Sequence, residues 1–236
     1  MEIITLRYAG GESIPVELTR KRMKHIRLRV LSGGRVLLSA PLFAARDRID
    51  AFLDEHKEWV YRHYSEKSRR LGYIEMPFIL ESGEAYYLGV KRKIVGIAST
   101  RDSVEIGERE IIVRYKGRAE RLARVYMNHI ARAAKYLFTR AMERWLPLFS
   151  SRGVNAPKIK VRRYRSKWGA CFYAEGEIVM NLHLIKADPI YTDYVMLHEL
   201  THFLYHGHGK RFYAFLLRAM PDARERKRML NAGVPV

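Results

Sequence analysis

His198-Glu199-Leu200-Thr201-His202 forms an H-E-x-x-H motif, the most informative segment of this 236-residue chain. On a helix, side chains four positions apart lie one above the other, so both imidazoles can reach one metal ion. Zinc takes such nitrogen ligands at roughly 2.0–2.1 Å in a tetrahedral arrangement. The segment therefore predicts a metal-binding helix and, with it, a zinc (Zn²⁺) site.

Glu199 is placed to act on a water molecule rather than to bind the metal. Each helical residue turns about 100°, so its carboxylate is offset from the two histidines. Zinc lowers the pKa of a bound water to around 7, and a nearby carboxylate can then take its proton. This pattern predicts a zinc-dependent hydrolase with Glu199 as the general base. Asp188-Pro189 resembles an N-cap followed by proline at the first helical position, and we expect the helix to run to about His206.

The third metal ligand is not settled by the motif itself. His206 continues the helical stripe eight residues after the first histidine, which is roughly 12 Å along the axis and too far for one ion. His208 is the favoured candidate, because Gly207 can take the left-handed conformation that ends a helix and lets the chain turn back. A carboxylate from the closing helices, Asp222 or Glu225, is the alternative.

A basic segment precedes the helix. Residues 158–167 hold six basic side chains and no acidic one. Residues 158–165 read as a strand, and we expect it to be an edge strand beside the metal, where an extended peptide can add. The alternation of this strand places Arg163, Arg165 and Lys167 on one side of it. Together with Lys210 and Arg211, which follow His208, they predict a cationic collar, that is, a group of basic side chains around the metal that binds substrate. The predicted substrate-binding residues are Arg163, Arg165, Lys167, Asn181, Lys210 and Arg211.

Four ordered segments resemble one known family. They are Arg165-Ser166-Lys167-Trp168-Gly169-Ala170-Cys171, Ile178-Val179-Met180-Asn181-Leu182, the H-E-x-x-H motif, and His208-Gly209-Lys210-Arg211-Phe212. Together they resemble the YgjP-like metallopeptidase-like family, which is related to the SprT-like and WLM zincins. The family pattern reads S-[KR]-W-G-S-C, I-N-L-N, H-E-L-x-H, five residues, and a histidine. The resemblance extends over nearly the whole chain.

The resemblance implies a ligand set and a base. It implies that His198, His202 and His208 bind the metal and that Glu199 is catalytic. The chain departs from the family pattern at Ala170, where a serine is usual, and at Val179-Met180, where Asn-Leu is common. The first departure removes a hydroxyl, so no substrate contact is assigned there.

The fold class predicted from the pattern is α+β. Residues 2–8 with 14–18, and 25–30 with 35–39, alternate like two pairs of strands around turns at Gly10-Gly11 and Ser32-Gly33-Gly34. A helical period predicts a helix from Asp47 to about Ser68, and another period predicts a long helix that follows Gly117 and is ended by Pro147. Residues 73–115 read as short strands split by Gly83, Gly89, Gly96 and Gly107, and residues 177–184 read as a further strand.

Residues 1–116 therefore read as a β-rich region with one helix, and residues 117–236 as a zincin-like hydrolase domain with a small sheet and the motif helix. The net charge of +19 is unevenly divided between them. The first region has 22 basic and 16 acidic side chains, the second 22 and 9. The positive excess favours anionic partners such as nucleotides or nucleic acids.

Compartment and redox chemistry follow from what the chain contains. The only cysteine, Cys171, excludes an intrachain disulfide and fits a reducing compartment. No apolar run reaches the roughly 18 residues of a membrane span, and the first residues do not read as a signal peptide. We therefore expect a cytoplasmic protein with no membrane partner.

Four functions are compatible with these residues. The first is peptide hydrolysis, with a peptide as substrate. The positive charge also allows an anionic substrate of another kind. The second is a nucleoside triphosphate pyrophosphatase, for example cleaving UTP to UMP and pyrophosphate, with the basic collar as a phosphate clamp. The third is a protease associated with nucleic acid. The fourth is a zinc-stabilised binding protein without turnover.

Overall fold

The computed structural model describes residues 2–8, 13–31, 34–68 and 70–235, and their mixed helices and sheets confirm the α+β class. The chain forms two compact units, Met1–Glu75 with Asn231–Val236, and Met76–Leu230. The boundary predicted after Lys116 differs from this division. The sheet of residues 84–115 belongs to the second unit because its strand Glu110–Tyr115 packs against the long helix that follows.

The first unit is built on a four-stranded sheet. In chain order its elements are β1 (Glu2–Arg7), β2 (Ser13–Lys21), β3 (Arg27–Val30), β4 (Val36–Pro41), α1 (Arg46–Glu55), α2 (Lys57–Ser68) and β5 (Arg70–Leu71). The sheet order is β1-β2-β4-β3, with β2 and β4 parallel and the two outer pairs antiparallel. Both predicted strand pairs are therefore confirmed. The turn predicted at Gly10-Gly11 lies outside the described residues, and of the turn predicted at Ser32-Gly33-Gly34 only Gly34 is described, with a φ of 77°.

Alternating apolar residues make the core of this unit. Ile14, Val16 and Leu18 of β2 are buried on one face of the sheet, as their spacing of two dictates. Ile49 and Leu53 of α1 are buried in the same core. The single helix expected from Asp47 to Ser68 is instead two helices that break at His56, whose Nδ1 approaches the Phe52 carbonyl oxygen at 2.9 Å.

The second unit starts with another four-stranded sheet. Its strands are β6 (Glu84–Tyr87), β7 (Val90–Ala98), β8 (Ser103–Ile106) and β9 (Glu110–Tyr115), in the order β6-β7-β9-β8. The expectation that Gly96 separates two strands is wrong, because Gly96 lies inside β7. A Cβ at Gly96 would lie 2.4 Å from Leu122 Cδ1, so the glycine permits close packing of a helix on the sheet.

The remaining elements carry the motifs. They are α3 (Arg121–Trp145), α4 (Pro147–Ser150), β10 (Lys158–Arg162), β11 (Gly169–Phe172), β12 (Glu177–Asn181), a 3-10 helix (Leu182–Lys186), α5 (Pro189–Thr201), α6 (Lys210–Ala219) and α7 (Ala223–Ala232). β10, β12 and β11 form a three-stranded sheet in that order, with β10 parallel and β11 antiparallel to β12. A final strand, β13 (Val234–Pro235), belongs to the first unit and pairs there with β5.

Sequence reasoning placed most of these elements but misjudged two lengths. The long helix before Pro147 is confirmed as α3. The strand expected over residues 158–165 ends at Arg162, and the strand expected over residues 177–184 gives way to the 3-10 helix after Asn181. In the described part of the chain, no helix is both long and apolar enough to cross a membrane.

Lys186 is a fully buried lysine in the second unit. Its Nζ donates to the Met76 carbonyl oxygen and lies 4.7 Å from the centre of the Phe78 ring. No carboxylate pairs with it among the described residues. Burial, and then the nearby charge of Arg163, lower its pKa from 10.5 to about 7.

Lys186→Met is expected to flatten the dependence of stability on pH. Between pH 7 and about pH 10 the unfolded chain keeps the lysine proton and the folded chain does not, so raising the pH stabilises the wild type. The linkage contributes roughly 1 kcal/mol per pH unit to the free energy of unfolding. Urea unfolding at pH 7 and pH 9 measures this slope. Lys135→Met, at an exposed lysine, is the control. Equal slopes in all three proteins would contradict the assignment.

Candidate metal centre

Helix α5 carries the motif, and local signals set its start. The Asp188 carboxylate accepts a hydrogen bond from the Ile190 N–H at 2.9 Å, and Pro189 is the first helical residue, so the predicted cap is confirmed. The helix ends at Thr201, well before the predicted His206. Beyond that point the backbone makes tighter bonds three residues back, such as Phe203 N–H to the Leu200 carbonyl at 3.0 Å.

Three histidines converge at the end of α5. One ring nitrogen from each of His198, His202 and His208 lies within 4.8 Å of the others. The Nε2 atoms of His198 and His208 are 2.9 Å apart. His198 and His202 are partly buried, whereas His208 is exposed. The chain between Thr201 and α6 thus turns back and brings His208 to the motif.

Phe212 packs beneath all three imidazoles. Its ring centre lies 4.9 Å from that of His198, and 4.8 Å from those of His202 and His208. Phe212 is fully buried in α6, so its ring is held in place. A rigid aromatic side chain on one side limits the orientations that the three histidines can adopt.

The alternative third ligands lie elsewhere. His206 stacks on Tyr173, with ring centres 4.0 Å apart, and is not a member of the cluster. Asp222 pairs with Arg226 at 2.9 Å, and Glu225 pairs with Arg228. The left-handed conformation predicted at Gly207 is wrong, because Gly207 does not have a positive φ. The helix has already ended at Thr201, with His202 as its C-cap.

Burial keeps the first histidine neutral. Burial, followed by the neighbouring His202 and His208, lowers the pKa of His198 to about 3. Burial and His208 also lower the pKa of His202. A metal requires the unprotonated imidazole, so this environment favours the form that binds one.

Glu199 lies in a narrow space beside β11. Its side chain is 6% exposed, and a Cβ added at Gly169 would lie 2.6 Å from its Oε1. Burial raises the pKa of this carboxyl to about 7, while the Lys167 charge and a hydrogen bond from the Cys171 backbone act in the opposite direction. A carboxyl group with a pKa near neutral can both accept and release a proton.

The strand next to the motif helix is β11 and not β10. β11 packs against α5, whereas β10 packs against α3. In the three-stranded sheet, β12 lies in the middle, so β11 has one unpaired edge within the described structure. β10 is an outer strand of this sheet, as predicted for residues 158–165, but the outer strand that packs against the motif helix is β11.

Asn181 holds a loop rather than facing a ligand. It is fully buried, and its Nδ2 donates to the carbonyl oxygens of Tyr164 and Lys167 at 3.0 and 2.8 Å. Its Oδ1 accepts from the His183 N–H at 3.1 Å and from the Tyr164 N–H at 3.4 Å. Both donors and both acceptor positions of the amide are used by the fold, which leaves no free position for the substrate contact predicted for it.

The five predicted basic residues are all exposed but are not equivalent. Lys167 lies over the Tyr164 ring at 4.5 Å and is close enough to Glu199 to lower its pKa. The Arg163 guanidinium lies over the Phe78 ring, 5.0 Å from its centre, in a cation–π contact. Lys210 and Arg211 open α6, two and three residues after His208. Arg165 follows β10 and forms no hydrogen bond with the three histidines in the described structure.

Comparison with known sequences agrees with this geometry. The sequence profile described as "YgjP-like, metallopeptidase domain" matches residues 24–233, most of the chain. The chain belongs to the YgjP-like family. A search of curated proteins found no match.

Membership of the YgjP-like metallopeptidase family implies a metal, and the cluster fits zinc. Tetrahedral ligands at roughly 2.0–2.1 Å from an ion are about 3.3 Å apart. The Nε2 atoms of His198 and His208 are 2.9 Å apart, and the ligand nitrogens of all three histidines lie within 4.8 Å of one another. His202 has its other ring nitrogen 3.2 Å from the Tyr205 carbonyl oxygen, the kind of contact that orients a histidine ligand. The Nδ1 of His198 is buried and has no partner in the described structure.

Sequence reasoning missed two parts of this YgjP-like site. The first is Gly169, whose lack of a side chain makes room for Glu199; the family motif around it was noted, but not its contact with the helix. The second is Tyr194, which lies one turn before His198 with ring centres 6.0 Å apart. It is buried, and burial with nearby Tyr213 and Glu199 raises its pKa to about 12. The sequence did contain a signal for Tyr194, because a residue four positions before His198 lies on the same face of the helix.

Proposed function

We propose that this protein is a zinc-dependent metallopeptidase. The observation that supports it most is the convergence of three imidazoles, with a buried carboxyl on the residue directly after the first of them. His198, His202 and His208 would hold the metal, and three protein ligands are the usual number in a catalytic zinc site. Glu199 serves as the general base.

The chemistry divides between the metal and the chain. Bound zinc polarises a carbonyl and makes a water acidic enough to lose a proton near pH 7. Glu199 accepts that proton and passes it to the leaving amine, a shuttle suited to its pKa of about 7. The positive charge of Lys167 stabilises the ionised form of the Glu199 carboxylate. Tyr194 and Tyr213 are the proposed donors to a developing oxyanion, because their ring centres lie 6.0 Å from that of His198 and 6.2 Å from that of His208.

The edge of β11 is the proposed site for the substrate backbone. An extended peptide can pair with an open strand edge through main-chain hydrogen bonds. Gly169 at the start of this strand contacts the Glu199 side chain, so a peptide along β11 passes the carboxylate. The exposed cations at Arg163, Arg165 and Lys167 favour acidic residues in that peptide, as do Lys210 and Arg211.

Nucleoside triphosphate hydrolysis is the second candidate. The exposed cations flanking the three histidines favour it, because arginine and lysine pair well with phosphate oxygens. Two observations weigh against it. Asn181 has no hydrogen-bonding position left for a ligand, and Arg163 is already placed over Phe78.

The test of the proposal is hydrolysis by one preparation in three metal states. The protein is assayed as purified, after chelation, and after zinc is added back, with elemental analysis of each sample. We expect one zinc per chain and cleavage of casein that chelation removes and zinc restores. A panel of nucleoside triphosphates, UTP included, is assayed in parallel for release of pyrophosphate.

Each other result selects a different function. Zinc-dependent release of pyrophosphate without casein cleavage would replace the peptidase with the pyrophosphatase. Casein cleavage only when DNA or RNA is added would indicate a protease associated with nucleic acid. Stoichiometric zinc with no hydrolysis under any condition would leave a zinc-stabilised binding protein and overturn the proposal.

A further inference from the structure

The first unit contains a concave basic surface, here called the basic groove, far along the chain from the histidine cluster. Its volume is about 470 Å³. The residues that line it are Lys21, Arg22, Met23, Lys24, Pro41, Leu42, Phe43, Ala44 and Arg48. Four of these nine side chains are cationic and none is acidic.

Two parallel strands bring this surface together. β2 ends at Lys21 and β4 ends at Pro41, and the two residues are register partners in the parallel pair. The residues that follow each strand therefore leave the sheet at the same edge. The Arg20 guanidinium donates to the Ala44 carbonyl oxygen at 2.7 Å, which holds the segment after β4 against the end of β2.

The cations of the groove differ from a nearby arginine in their ion pairing. Lys21, Arg22, Lys24 and Arg48 form no ion pair within the described residues. Their neighbour Arg46 behaves differently, since it pairs with Glu2 at 2.6 Å and Asp50 at 3.0 Å. Unpaired charges held close together repel one another, so a bound polyanion would relieve a cost that the folded chain otherwise bears.

Phe43 projects from the same surface into solvent. Its side chain is 97% exposed, and Leu42 beside it is 43% exposed. A large aromatic side chain has much to gain by burial, about 25 cal/mol for each Å² of apolar surface removed from water. Phe43 is surrounded by cations, so an apolar protein surface that covered it would also have to bury those charges. A flat aromatic group that carries anions could cover the ring and pair with the cations at the same time.

We propose that the basic groove binds single-stranded nucleic acid, with phosphates on the four cations and one base stacked on Phe43. Surfaces that bind single strands combine a positive groove with aromatic side chains on which bases stack. The concave shape favours a flexible strand, which can follow the groove, over a flat lipid surface, which reaches only its rim. Histidine cluster and hydrolytic activity play no part in this binding.

Oligonucleotide binding by the full-length, zinc-loaded protein tests the proposal. A fluorescent twenty-residue oligothymidylate is titrated at several salt concentrations, and binding is read by anisotropy. Four phosphate contacts give a slope of about −2.8 for log K against log salt. Arg22→Ala/Lys24→Ala is expected to halve that slope. Phe43→Ala is expected to weaken binding about tenfold and leave the slope unchanged, because it removes stacking and no charge.

Matched controls come from the exposed face of α3. Arg124→Ala/Lys135→Ala removes the same charge, and Tyr136→Ala removes an aromatic ring that is 71% exposed. Both are expected to bind like the wild type. Vesicles of phosphatidylserine and phosphatidylcholine serve as the competing polyanion. Equal losses in groove and control variants, or Phe43-dependent binding to vesicles and none to the oligonucleotide, would overturn the proposal.

Discussion

Glu199→Gln is expected to reduce kcat for peptide hydrolysis by about a thousandfold while one zinc per chain is retained. The amide has nearly the shape of the carboxylate and fits the same buried space, but it cannot take a proton from water. General acid–base catalysis contributes typically 10²–10⁴-fold, which sets the size of the loss. Steady-state kinetics on a fluorogenic peptide and elemental analysis measure the two quantities together.

Displacing the carboxylate gives an independent check of the same role. In Gly169→Ala the new methyl would lie 2.6 Å from Oε1 and 2.8 Å from Cγ of Glu199, so the buried side chain must move. We expect a lower kcat with normal zinc content. Gly207→Ala is the matched control, because no atom lies within 4 Å of a Cβ there. A Glu199→Gln protein within tenfold of wild-type activity would remove Glu199 from the mechanism.

Local signals in the sequence predicted the start of the motif helix but not its end. The Asp188 cap and Pro189 act on their own turn of helix, and both are visible in the sequence. The end at Thr201 depends on the chain turning toward α6, where Phe212 must pack under the three histidines. A helix period continued to His206 carries no information about that packing.

The same limit applies to the site. His198, Glu199 and His202 lie within five residues, so one helical turn already brings them together. The approach of β11 to Glu199 joins positions thirty residues apart and depends on strand pairing, which the period of the segment does not contain. Asn181 illustrates the converse. Its place on the strand after the basic segment predicted a substrate contact, whereas all four of its hydrogen bonds are to backbone groups and shape the loop before Lys167.

His208→Ala is expected to weaken zinc binding by more than a hundredfold, whereas His206→Ala leaves it unchanged. Loss of an outer-shell partner alone costs 10–100-fold in metal affinity, so loss of a direct ligand should exceed that range. The two histidines are two residues apart and both exposed, yet only His208 joins the cluster. Competition with a chromophoric chelator measures the affinity of each variant for zinc.

This comparison also decides between histidine and carboxylate as the third ligand. Asp222 and Glu225 form ion pairs with Arg226 and Arg228 of α7. Exposed ion pairs of this kind contribute little to stability. Asp222→Asn and Glu225→Gln are therefore expected to keep both fold and zinc affinity. If one of them loses zinc while His208→Ala retains it, the third ligand is a carboxylate. The close approach of His208 to His198 would then be a contact between two imidazoles and not part of a metal site.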